Sequence, residues 1–146
     1  MKQVLFLCSG NYYRSRFAEH LFNWLAVKSD LSWRADSRGL RVGKAGNIGP
    51  ISRFAVEGLE MRGIPLNGER YPLQLTLPDL AGADLVIAVK EAEHRAMLLE
   101  LFPLWANLVE YWHVDDLDCA GPEEALLALD GHVRGLVEKL LADKGA

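Results

Sequence analysis

The residues best equipped for chemistry in this chain sit together after its first apolar run, as Cys8-Ser9-Gly10-Asn11-Tyr12-Tyr13-Arg14-Ser15. A thiol and a guanidinium flank a short polar loop that can hold an anion. Gly10 lets backbone approach a ligand closely, and Asn11 tolerates the left-handed conformation that a nest of N–H groups requires. Arg14 offers a planar fork matched to two phosphate oxygens. Ser15 can bring a hydroxyl to the sulfur from a first helical turn. The thiolate is the nucleophilic form of cysteine, and a helix N-terminus beside a cation favours it. The expectation is a phosphate cradle built from Ser9, Gly10, Asn11, Tyr12, Tyr13 and Ser15, in which Cys8 attacks and Arg14 balances charge.

A second group of chemical interest lies far along the chain, where residues 113–121 carry Asp115, Asp116 and Asp118. A carboxyl group here could move protons. Metal binding by His113 with these aspartates is disfavoured, because the spacing matches no standard zinc or calcium loop. The stretch Gly39-Leu40-Arg41-Val42-Gly43-Lys44-Ala45 evokes a nucleotide-binding loop. It has one residue too few between its glycines, and Ala45 stands where a hydroxyl should hold magnesium. Arg41 and Lys44 are left to steer an anionic substrate or simply to face water.

Positioning these groups requires strands and helices in alternation. The continuous apolar run over residues 3–7 suits a strand buried on both faces, and apolar residues at helical spacing follow over 15–29. A strand at 33–36, a helix from Pro50 and Ser52 to Gly63, and a short strand at 64–66 come next. Asn67-Gly68 marks a turn, and 71–78, with two prolines, reads as irregular. The strongest strand is 84–89, followed by a helix over 91–102, an extended segment at 108–112 and a last helix from Pro122 to about Ala142. This order predicts one α/β domain over residues 1–146, with a mostly parallel, four-stranded twisted sheet covered by helices on both faces. Loops after strand ends meet at one edge of such a sheet, which is where ligands bind.

Composition narrows the function classes. Half of the residues are apolar and 25% are charged, as in ordinary globular domains, and the net charge of −4 with no basic run gives no nucleic-acid surface. No leader peptide or membrane-spanning segment is read from the sequence, so no membrane partner is expected. With Cys8 and Cys119 as the two cysteines, no disulfide framework is available, and a reducing, cytoplasmic setting is expected. No cofactor or metal is called for.

The stretch Val4-Leu5-Phe6-Leu7-Cys8-Ser9-Gly10-Asn11-Tyr12-Tyr13-Arg14-Ser15-Arg16-Phe17-Ala18-Glu19 resembles the signature of the low-molecular-weight protein tyrosine phosphatases. Thioredoxin-coupled arsenate reductases share much of it. Weaker likenesses follow in Trp33-Arg34-Ala35-Asp36-Ser37, in Gly49-Pro50, in Arg62-Gly63-Ile64-Pro65 and in the segments 84–89 and 112–116. The resemblance implies a metal-free, two-step hydrolysis of a phosphomonoester on a phosphorylated protein or small aryl phosphate, through a cysteinyl-phosphate on Cys8. It assigns the general acid to Asp116, with Asp115 as runner-up because Leu117 replaces the proline expected after the acid. Ser37 matches a serine that supports the loop asparagine.

Three departures bear on the reaction. Tyr13 stands where many members carry a second cysteine, so the loop has no internal redox partner. Cys119 lacks a neighbouring thiol, which argues against arsenate reduction. Leu117-Asp118 replaces the aromatic pair that follows the acid in many tyrosine phosphatases, leaving Tyr12, and Trp112 as a possible helper, to wall the pocket. That loss motivates a further alternative, a catalytically weak phosphate- or phosphoprotein-binding module.

Overall fold

The computed structural model describes residues 1–44, 46–66, 68–116 and 121–144. Leu117, Asp118 and Cys119, as well as Ala45 and Asn67, lie outside the described residues.

β1 (Lys2–Cys8) is the middle of the fold. It pairs in parallel with β2 (Trp33–Gly39) on one side and β3 (Leu85–Ala88) on the other, and β3 pairs with β4 (Glu110–Tyr111), giving the order β2-β1-β3-β4. Alternation along β1 sends its side chains to two cores. Val4, Phe6 and Cys8 face α1 (Arg14–Lys28), α2 (Arg53–Glu60) and α5 (Pro122–Lys144), where Phe17, Leu21, Phe22, Leu126 and Leu129 are buried. Leu5 and Leu7 face the other way, onto Leu80 of α3 (Leu77–Ala81), Leu98 of α4 (Glu91–Leu101), Ala106 and Val109. Both faces are therefore dry, which explains why β1 reads as an unbroken apolar run.

The α/β class, the parallel four-stranded sheet and the loop at the end of β1 agree with the expectation. Residues 64–66 do not: they form no strand. Ile64 is buried in the α1 core instead, and its N–H bonds back to the carbonyl of Leu59 at the end of α2. Beyond β2, among the described residues, the sheet gains only an isolated bridge between Gly39 and Gln74. The proline-containing stretch is also more regular than expected, because Thr76 and Asp79 close a capping box that starts α3. The segment expected over 108–112 shrinks to the two residues of β4.

Candidate active site

The loop between β1 and α1 is held from behind by side chains. Asn11 adopts φ +51°, in the left-handed region that asparagine tolerates better than most residues. Its amide nitrogen donates to Ser15 Oγ at 3.0 Å and to Ser37 Oγ at 2.9 Å. Its amide oxygen accepts from Arg70 Nη1 at 2.9 Å and from the backbone N–H of Leu73 at 3.0 Å. Arg70 is itself gathered by Glu19, Asp36 and the Ser37 carbonyl. Arg16, fully buried, reaches the carbonyls of Asn11, Pro50 and Arg70 and pairs with Glu69. Asn11 and Ser15 thus shape the loop from its inner side, and Ser37 supports the asparagine as the resemblance implied.

Along the loop, the backbone N–H groups of residues 9–14 donate to no protein acceptor among the described residues. Unpaired N–H groups opening a helix, with one left-handed residue among them, form a ready anion seat. Cys8, buried at the end of β1, has its sulfur 2.9 Å from Ser15 Oγ. A hydroxyl there can donate to the thiolate.

Arg14 is 2% exposed and its two terminal nitrogens make four contacts. Nη1 donates to Glu93 Oε2 at 3.2 Å and to the Val114 carbonyl at 3.1 Å. Nη2 donates to Glu93 Oε1 at 3.1 Å and to Asp116 Oδ2 at 3.3 Å. Burial works against its charge, but Cys8, Glu93 and Asp116 outweigh it and hold the guanidinium firmly protonated. Burial likewise opposes ionisation of Glu93, yet hydrogen bonds from His94, Arg14 and Ser9 keep its carboxyl well below the usual carboxylate range. His94 is fully buried, and burial pushes it below its ordinary value, against the pull of Glu93.

A cleft of about 510 Å³ opens over the loop, with Cys8, Arg14, Tyr12, Tyr13, Phe54 and Asp116 on its walls. Asp116 and Cys8 line the same cleft, whereas Asp115 turns to Lys90 Nζ at 2.7 Å. The two aspartates that the sequence left in competition thus face different surroundings. Tyr13 donates its hydroxyl to the Pro122 carbonyl at 3.1 Å, and burial, followed by the charge of Asp116, pushes its pKa up to about 12. It therefore stays a neutral aromatic wall.

Other sequence expectations move. Trp112 is buried, packed on Phe6 and stacked on His132 with ring centroids 4.9 Å apart, and belongs to the core rather than to the cleft. Arg41 pairs with Glu100 at 3.1 Å, and neither it nor Lys44 lines the cleft. The exposed cation on the rim is Arg53, over the Phe54 ring at 5.0 Å. His113 is exposed and nearest Glu91, at 4.0 Å. Sequence reasoning missed Arg53, Phe54, Glu93 and His94. The signal for the last two was topological: they open the helix that follows the strongest strand, and that strand lies beside β1.

The comparisons with known proteins agree with this geometry. The family described as low molecular weight phosphotyrosine protein phosphatase matches residues 3–140. The protein-arginine-phosphatase of Bacillus subtilis (strain 168) is 33% identical over 106 residues, covering 73% of this chain and 67% of that protein. The human low molecular weight phosphotyrosine protein phosphatase is 32% identical over 96 residues, covering 64% of this chain and 58% of the human one. The alignment thus spans less than two thirds of the human protein's length. The crystal structure of a low molecular weight protein tyrosine phosphatase from T. tengcongensis matches with TM-score 0.80 and 30% identity, over 95% of this chain and 99% of that chain. With a match along nearly its whole length and the cysteine–arginine loop in place at the end of β1, the chain belongs to the low molecular weight phosphotyrosine protein phosphatases.

Proposed function

We propose that this chain hydrolyses aryl phosphate monoesters, phosphotyrosine in proteins among them, with Cys8 as nucleophile and Asp116 as general acid and base. Cysteine-based phosphatase chemistry comes with the family; the roles of the individual residues are inferred from the cleft. In the first step the Cys8 thiolate attacks phosphorus, the bond to the leaving oxygen breaks, and Asp116 gives that oxygen its proton. In the second, water attacks the cysteinyl-phosphate, Asp116 takes a proton from the water, and the P–S bond breaks to release inorganic phosphate. Throughout, Arg14 and the N–H groups of residues 9–14 hold the equatorial oxygens, the kind of charge stabilisation that dominates phosphoryl transfer.

The observation that carries this reading is the placement of Cys8, Arg14 and Asp116 on the walls of one cleft. Ser15 Oγ, 2.9 Å from the sulfur, is suited to favour the thiolate as attacking and leaving group. A compartment that keeps an unpaired thiol reduced, such as the cytoplasm, fits this chemistry. Among the described residues no helix is long and apolar enough to cross a membrane.

The Bacillus relative motivates a second substrate, a phosphorylated arginine side chain. Tyr12, Tyr13 and Phe54 around the cleft suit the flat ring of an aryl phosphate, and such rings also accept a guanidinium face, as Arg53 over Phe54 shows. Turnover of a phosphotyrosine peptide and of a phosphoarginine peptide, each with excess chelator present, decides between them. The expected result is faster release of phosphate from the phosphotyrosine peptide, abolished by Cys8→Ser. Faster turnover of the phosphoarginine peptide reassigns the substrate, and activity that survives Cys8→Ser sinks the mechanism.

A further inference from the structure

Behind the loop arginine lies a group of side chains with no part in the two chemical steps. Glu93 and His94 stand in the first turn of α4, directly after β3, and β3 is the neighbour of β1 in the sheet. Glu93 grips Arg14 with both carboxylate oxygens, at 3.1 and 3.2 Å, and also accepts a hydrogen bond from the hydroxyl of Ser9. The polarity of the chain that follows is fixed by the backbone. The N–H of Lys90 donates to His94 Nδ1 at 3.1 Å, so the neutral imidazole carries its proton on Nε2, which lies 3.1 Å from Ser9 Oγ. His94 thus donates to Ser9, Ser9 donates to Glu93, and Glu93 accepts from Arg14.

The consequence for Arg14 is geometric. Glu93 takes the end-on fork formed by Nη1 and Nη2, and the Val114 carbonyl takes the second hydrogen of Nη1. Two donors remain for a ligand: Nε–H, without an acceptor among the described residues, and the Nη2 hydrogen now directed at Asp116. These two share one edge of the guanidinium, the spacing that accepts two phosphate oxygens side by side. A long side chain with several rotatable bonds does not hold such an edge in place by itself.

We infer that Glu93 is a positioning residue for the phosphatase reaction, locking Arg14 so that its Nε–Nη2 edge faces the phosphate while Ser9 and His94 fix Glu93 in turn. The inference rests on the proposed function, and it predicts an effect that passes through Arg14 alone.

The test combines spectroscopy with kinetics on Glu93→Gln and Glu93→Asp. In ¹⁵N-labelled wild-type protein, Arg14 should give separate, slowly exchanging Nη resonances, assigned by their loss in Arg14→Lys, and these should merge in both variants. Glu93→Gln should lower kcat on an aryl phosphate about tenfold with KM changed less than threefold, since the arginine counts most in the transition state. Glu93→Asp keeps the charge but is too short for both grips, and it should lose as much. In the Glu93→Gln background, Arg14→Lys should cost less than a third of what it costs in the wild type. Separate Nη resonances in the variants, full activity in Glu93→Asp, or losses that simply multiply would each overturn the role. A wild type with locked Nη resonances but no turnover supports the positioning role and defeats the phosphatase reading instead.

Discussion

The two sides of the cleft are built to different standards. On the nucleophile side, Cys8, Asn11, Arg14 and Ser15 are buried, and Asn11 alone is bound to four separate groups. On the acid side, the last backbone–backbone hydrogen bond before Asp116 among the described residues is the N–H of Val114 on the Val89 carbonyl, and the Asp116 side chain is 41% exposed. Six loop N–H groups, those of residues 9–14, cannot converge on an anion unless the backbone is held at each residue. A proton donor needs only one oxygen within reach of the leaving group. The precision of each wall follows the number of atoms it must place at once.

That contrast yields predictions of decreasing size. Asp116→Asn should lower kcat/KM for an aryl phosphate with a basic leaving group by about 100-fold or more, the range for loss of a general acid. The loss should shrink for a p-nitrophenolate leaving group, with little change in the melting temperature. A uniform loss across leaving groups would remove Asp116 from the acid role.

Asn11→Ala should do the reverse. It strands Ser15, Ser37, Arg70 and the Leu73 N–H, and puts a less tolerant residue at φ +51°. Leaving several buried partners unmatched costs about 3 kcal/mol, or about 10 °C in melting temperature for a chain of this size. Unchanged stability would mean that the two walls are not held so differently.

Acid should loosen the cradle first. His94 is neutral in the fold because its pKa is lowered, whereas the unfolded chain takes up a proton below about pH 6.5, so stability falls as pH drops through that value. Glu93, with a lowered folded value, adds stability above about pH 4.3 that is lost on further acidification. Denaturant titrations from pH 8 to about pH 3 should show this decline, with its upper part reduced in His94→Asn. A flat profile would contradict it. The smallest effect belongs to Asp115→Asn, less than threefold on kcat, because that carboxylate is turned to Lys90.

What the sequence made legible follows the same division. The proposed cradle was readable because Cys8, Gly10, Asn11, Arg14 and Ser15 fall within eight consecutive residues, and because a run buried on both faces announces a central parallel strand. The proposed acid needed a family likeness, and the proposal of Asp116 over Asp115 draws on the ion pair of Asp115 to Lys90. Glu93, Arg16 and Arg70 were invisible in this respect, since their partners lie tens of residues away and charged helix or loop residues read as solvated faces. The error at residues 64–66 has a similar origin: three mostly apolar residues before a turn suit a strand, but only Ile64 is buried in the α1 core, Leu66 packs partly against it and Pro65 stays exposed.

One further feature is Gly39, the last residue of β2 and the register partner of Cys8. A Cβ placed there would lie 2.9 Å from the Ser9 carbonyl oxygen and 3.0 Å from Asn11 Cβ, so only a bare backbone fits against the loop. The carbonyls of Cys8 and Ser9 also accept the N–H groups of Leu40 and Arg41 just beyond it. The sheet edge therefore acts as the mould in which the anion seat is cast during folding. Much of the reorganisation that would otherwise accompany each catalytic cycle is completed before a substrate arrives.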